Sequence, residues 1–202
     1  MQKSWANFAG VSLLAAVCLS SCSGVGAVSL HEDAAKRLDE SGDVPGAIDE
    51  WKKAIAERPN EASYHLSLGA DLTRSSLFKD GEEEIRQSIK LDPKVARSHI
   101  MLGELLLKKN AKNEALEEYN LAALCDTTHI EALMGLGKIY EDMGDNKSAA
   151  QKYREAVKIA HDSVEAHEAL AKILSKMGSF KSAETEIQIA TELKEHPTTA
   201  AK

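Results

Sequence analysis

Small and bulky apolar residues return along this chain with a step of 34. One small position reads Ala47, Gly81, Ala115, Ala149 and Ala183. Four residues further on stand Trp51, Ile85, Tyr119, Tyr153 and Ile187, and three beyond those Ala54, Ser88, Ala122, Ala156 and Ala190. Offsets of three and four place these residues on one face of a helix. A second helical stretch precedes it in each unit, clearest at Leu102, Gly103 and Leu106. A period of this length predicts stacked helix-turn-helix units in a solenoid. With Val28 as the start, five units run 28–61, 62–95, 96–129, 130–163 and 164–197, followed by a tail at 198–202.

Turn chemistry agrees with the period. Gly42, Gly144 and Gly178 fall where a first helix should end in a left-handed cap. Pro45 opens a second helix, while Pro59 and Pro93 close the first two units and Pro197 follows the last helix. Ser29-x-x-Glu32 reads as a capping box, so the first helix should begin near Leu30. Gly69, Gly103 and Gly137, with Ala35 and Ala171 in the outer units, should let paired helices approach closely. The position that would face a following unit holds Ile55, Ile89, Ala123 and Val157, then Thr191; Glu184 likewise replaces Ala150. This predicts a polar, terminating face on the fifth unit.

At these residues the chain resembles the tetratricopeptide repeat family over 28–197. The fullest unit carries Leu136-Gly137, Tyr140, Gly144, Ala149, Tyr153 and Ala156. Ala34-Ala35, Thr127 and His161 depart from the family's Leu-Gly and Pro. The resemblance implies an all-α fold: a right-handed superhelical solenoid of five antiparallel helix pairs, whose first helices line a concave face.

The first residues change the picture of where the solenoid works. Lys3 precedes an apolar run from Phe8 to Leu19, too short for a membrane-spanning helix. It ends in Leu19-Ser20-Ser21-Cys22, which resembles a bacterial lipobox. That reading makes 1–21 a lipoprotein signal peptide, Cys22 the lipidation site and 22–29 a tether reaching roughly 25 Å at ~3.3 Å per residue. The alternative is ordinary signal cleavage after Ala27, following Val25-Gly26-Ala27. The lipobox reading expects a lipid-anchored protein of the bacterial envelope, on the periplasmic face of the outer membrane, as Ser23 after the cysteine would allow. Of three cysteines, Cys18 would leave with the signal and Cys22 would carry lipid, so Cys125 could form no internal disulfide. Cys125 should be a buried small hydrophobe.

Candidate chemistry points to binding. The formal charge is −7 with no basic stripe, which disfavours nucleic acid as a partner. No nucleophile elbow, phosphate loop or paired cysteine stands in the sequence, so neither an enzyme nor a cofactor is expected. His31, His65, His99 and His167 share one register, with Leu133 in the fourth unit. Helices 8–10 Å apart cannot converge such residues on one zinc, and the second histidine of H-E-x-x-H is missing at Ala35 and Ala171. These histidines should serve as half-buried aromatic rings, and no metal is expected.

The expected concave wall carries Leu66, Ile100 and Met134 in its central units, between Glu32 and Glu168, with Leu107 on the same face. Arg74, Arg97, Glu104, Lys108, Lys138, Glu141 and Asp142 should form a charged rim. That pattern suits an extended or helical protein segment. The family's clamp for chaperone tails uses Asn with Lys or Arg; here Lys36, Ala70 and Glu104, with Asp33, Ser67 and Met101 one turn earlier, include no Asn. The expected partners are envelope proteins or their segments. The resemblance also extends to repeat lipoproteins that assist secretin or pilus assembly, and an adaptor for cell-wall hydrolases is the alternative.

Overall fold

A computed structural model describes residues 29–196, which form ten α-helices and, among the described residues, no strand. They are α1 (Leu30–Ser41), α2 (Val44–Glu57), α3 (Ala62–Arg74), α4 (Phe78–Leu91), α5 (Ala96–Lys108), α6 (Lys112–Cys125), α7 (Ile130–Asp142), α8 (Asn146–Ile159), α9 (Val164–Lys176) and α10 (Phe180–Glu195). Odd and even helices pair within a unit, and each even helix packs on the odd helix that follows. The result is a solenoid of five helix pairs. The expected signal peptide at 1–21, the expected lipidation site Cys22, most of the expected tether, Pro197 and the 198–202 tail lie outside the described residues.

The periodic small residues explain the close packing. Ala47, Ala115, Ala149, Ala54, Ala122 and Ala156 are wholly buried. Gly69 lies so near α4 that a Cβ there would stand 2.7 Å from Ile85 Cγ1 and 3.0 Å from the Gly81 carbonyl. Trp51, Ile85, Tyr119 and Tyr153 fill the joints between units. Ile187, in the last described helix, is uncovered among the described residues and stays 53% exposed. Thr191 and Glu184 are exposed as expected, yet Ile187, Ala190 and Ala171 leave an apolar hollow of about 280 Å³ in that polar face.

Turns repeat as faithfully as helices. Gly42, Gly144 and Gly178 take φ of 82°, 82° and 75°. The same register holds Ser76 at 64° and Asn110 at 61°, so the geometry persists where glycine does not. α1 begins at Leu30, but the expected reciprocal capping box does not form. Ser29 Oγ accepts from the His31 N–H at 3.2 Å and donates to Glu57 at 2.6 Å. Glu32 instead accepts from Tyr64 Oη at 2.6 Å in the next unit, which leaves it unavailable to the Ser29 backbone.

Each histidine of the shared register clasps the two helices of its own unit. His65, His99 and His167 place Nδ1 2.6, 2.7 and 2.6 Å from Glu84, Glu118 and Glu186 on the paired helix. Their Nε2 atoms lie 3.0, 3.0 and 3.1 Å from the carbonyls of Pro59, Pro93 and His161 in the preceding turn. His31 meets Glu50 at 2.5 Å. In the fourth unit the pair is Leu133 and Lys152, and Lys152 turns to Glu155 at 2.9 Å.

Two expectations fail on exposure. Ile100 is 1% exposed and belongs to the core beside Leu136 and Ile139, so it does not lie on the concave wall. Its helix, α5, is buried over more of its circumference than α3 or α7. Cys125 is exposed at the last position of α6, where its Sγ lies 3.4 Å from the Pro93 carbonyl. Leu121 and Leu124, near the same end of α6, are also exposed.

Candidate functional site

The concave side opens into one large cleft of about 1190 Å³ over units three to five. Its origin is a pair of truncated side chains. The register that holds Met101 in α5 holds Gly135 in α7 and Ala169 in α9. A Cβ on Gly135 would lie 2.3 Å from Tyr119 Cε1, so no larger residue fits without moving the ring. Tyr119 therefore reaches the floor between α5 and α7, and Tyr153 does so one unit on, beside Gly137.

The structure divides the residues expected to line this face. Leu107, Met134, Glu104, Lys108 and Lys138 all border the cleft. Leu66 is half-buried on α3 and lies outside it, as do Ile100, Arg74 and Arg97. Arg74 is committed to the joint between the first two units, donating to Asp39 at 2.6 Å and to Asp71 at 2.5 Å. Arg97 stands 3.9 Å from Glu131, and Lys108 lies 5.3 Å over the Phe78 ring. The cleft residues missed in the sequence are chiefly Tyr119, Tyr153, Gly135 and Ala169. Tyr119 and Tyr153 share a register with core residues, and only the loss of a side chain at Gly135 signals that a hydroxyl can emerge.

Charge in the cleft is mixed and largely paired. Glu141 Oε1 accepts from Lys176 at 2.6 Å and sits 2.9 Å from Lys172, which joins unit four to unit five. Tyr153 Oη donates to its other oxygen at 3.4 Å. Burial pushes the Glu141 carboxyl up, but hydrogen bonds from Lys176 and Lys172 outweigh it and hold the group below its ordinary value. Lys112 lies 4.0 Å from Asp142. Lys138 and Glu104 have no ion pair within 4.0 Å among the described residues. Among those residues, too, no cluster of three or more His, Cys, Asp or Glu is placed to hold a metal ion. No described helix is long and apolar enough to cross a membrane. The surface thus offers apolar anchors, hydrogen-bonding groups and charges with no ion pair among the described residues, Glu104, Lys138 and Glu165 among them.

Comparisons with known proteins agree with the architecture. Residues 71–127 match a family model described as tetratricopeptide repeat, and residues 137–178 match one described as TPR repeat. A crystal structure of MamA is similar at 23% identity, with a TM-score of 0.73, covering 84% of this chain and 97% of that one. MamA from Desulfovibrio magneticus RS-1, residues 41 to its end, matches at 17% identity and 0.73 over 84% and 96% of the two chains. PilF of Pseudomonas aeruginosa matches at 18% identity and 0.74 over 80% and 74%. No curated protein matches by sequence.

Proposed function

The chain belongs to the tetratricopeptide repeat family, and from that premise we propose that it is a non-catalytic scaffold that holds a protein segment in the cleft of units three to five. One observation carries the reading: the cleft is built by side-chain loss at Gly135 and Ala169, and apolar Leu107 and Met134 line it as well. An apolar floor within a charged rim is the pattern of surfaces that bind protein segments. Because Ile100 is core, the decisive variant is Met134→Glu with Ala169→Arg, both half-buried at the cleft. Crosslinking from cells should capture a partner on the native chain and lose it on this variant, with the helical circular dichroism unchanged. Equal capture would move the binding face elsewhere.

The wider setting in this proposal is the bacterial envelope, supported by Leu19-Ser20-Ser21-Cys22. Cys22→Ala should shift the protein from the membrane to the soluble fraction. For the pathway, we favour secretin or pilus assembly over service to cell-wall hydrolases. The single support is the lipobox followed directly by a short repeat domain. Deletion of the gene should lower secretin multimers; altered septation with normal multimers would favour the adaptor.

A further inference from the structure

Adjacent repeats serve as each other's controls at the cleft floor. In the joint of units four and five, the Glu141 carboxylate gathers three donors: the Tyr153 hydroxyl at 3.4 Å, Lys172 at 2.9 Å and Lys176 at 2.6 Å. One unit earlier, the corresponding residues are Leu107 for Glu141, Tyr119 for Tyr153, Lys138 for Lys172 and Asp142 for Lys176. Two of the three donors are kept and the acceptor is gone. Tyr119 is only 4% exposed, borders the cleft, and its hydroxyl has no hydrogen-bond partner among the described residues. Lys138 borders the same cleft and has no carboxylate within 4.0 Å among them.

We propose that the joint of units three and four is a subsite for the carboxylate of an acidic side chain, carried between apolar residues in an extended partner segment. The carboxylate docks beside Leu107, which stands where Glu141 does one unit on, and accepts from Tyr119 Oη and Lys138 Nζ. The flanking apolar residues lie against Leu107 and Met134. Burial, and after it the charge of Glu104, pushes the Tyr119 hydroxyl up, so at neutral pH it keeps the proton it must donate. Glu104 and Asp142 oppose an incoming carboxylate. Lys108 and Lys138 attract it, and Lys112 near Asp142 offsets that residue's charge. The assignment rests on the cleft being the binding face, as proposed above, and adds what it selects.

The probe is a doubly capped peptide, acetyl-Gly-Ser-Leu-Glu-Leu-Ser-Gly-amide, titrated into the isotopically labelled full chain by NMR. Its Gln counterpart and an acid-free analogue with a free C-terminal carboxylate are the comparisons. The Glu peptide should bind about tenfold more tightly than the Gln peptide. It should shift the amide signals of Gly135 and Lys138. That preference should fall below about threefold in Tyr119→Phe and in Lys138→Gln. Leu107→Glu supplies the missing carboxylate from within and should abolish the preference while the spectrum remains folded. Equal affinity for Glu and Gln peptides, with shifts still in the cleft, overturns the subsite and leaves the cleft as the binding face. Equal or tighter binding of the free-carboxylate analogue also overturns it, in favour of a chain terminus. An absence of shifts in the cleft with every peptide overturns both readings.

Discussion

Ser76 and Asn110 hold a backbone conformation that the other three units assign to glycine. An L side chain in the left-handed region costs about 1 kcal/mol, less for Asn than for Ser. Ser76→Gly should therefore raise stability by about 1 kcal/mol, offset in part by the entropy of a freer unfolded chain. Gly144→Ala should lower it by about 1 kcal/mol, because open space around the site leaves only the backbone cost. Urea unfolding of both variants measures the difference. Single residues are also where the sequence misled. Ile100 shares its register with half-buried Leu66 and Met134, and the pattern alone cannot show that α5 is enclosed on that side too. Cys125 stands at a helix end, where one residue of position decides between core and surface.

Among the elements, the histidine clasps join four of the five first helices to their partners, and three of those also to the turn before. The register of His31, His65, His99 and His167 was plain in the sequence. Their function was not, because the clue lay in a second register, Glu50, Glu84, Glu118 and Glu186, 19 residues on. The exchange of both members in the fourth unit, to Leu133 and Lys152, is the pairing signal that sequence could have given. Glu118→Ala should cost about 2 kcal/mol, since His99 is buried and would keep an unpartnered ring nitrogen. Transplanting the fourth unit's pair, with His99→Leu and Glu118→Lys together, should cost less than the two single changes added. A double-mutant cycle by chemical denaturation reads that coupling.

For the molecule as a whole, the five-unit layout was legible because a solenoid writes its contacts into a fixed period. The cleft was legible only in outline. Its position depends on an omission, Gly135, and on which charges neighbours already occupy. Those neighbours also set the response to acid. Glu141 is held low by Lys176 and Lys172. Glu82, though burial pushes it up, is held low by Lys109 and Arg86. A carboxyl whose folded value lies below its unfolded one stabilises the fold above the unfolded value and loses that contribution as pH falls through the folded value. The joints bridged by these residues, units two to three and four to five, should thus loosen below the ordinary glutamate value of 4.5. Glu141→Gln should melt lower than the native chain at pH 7, with the gap narrowing by pH 3. Melting curves at both values test the sign.

The hollow around Ile187 carries a different consequence. Every earlier residue of that register is roofed by the next unit's first helix, and here the roof is absent while the socket survives. An engineer could graft one more helix pair over Ile187 once Thr191 and Glu184, exposed on the same face, are exchanged for the Val and Ala that the fourth unit carries at Val157 and Ala150.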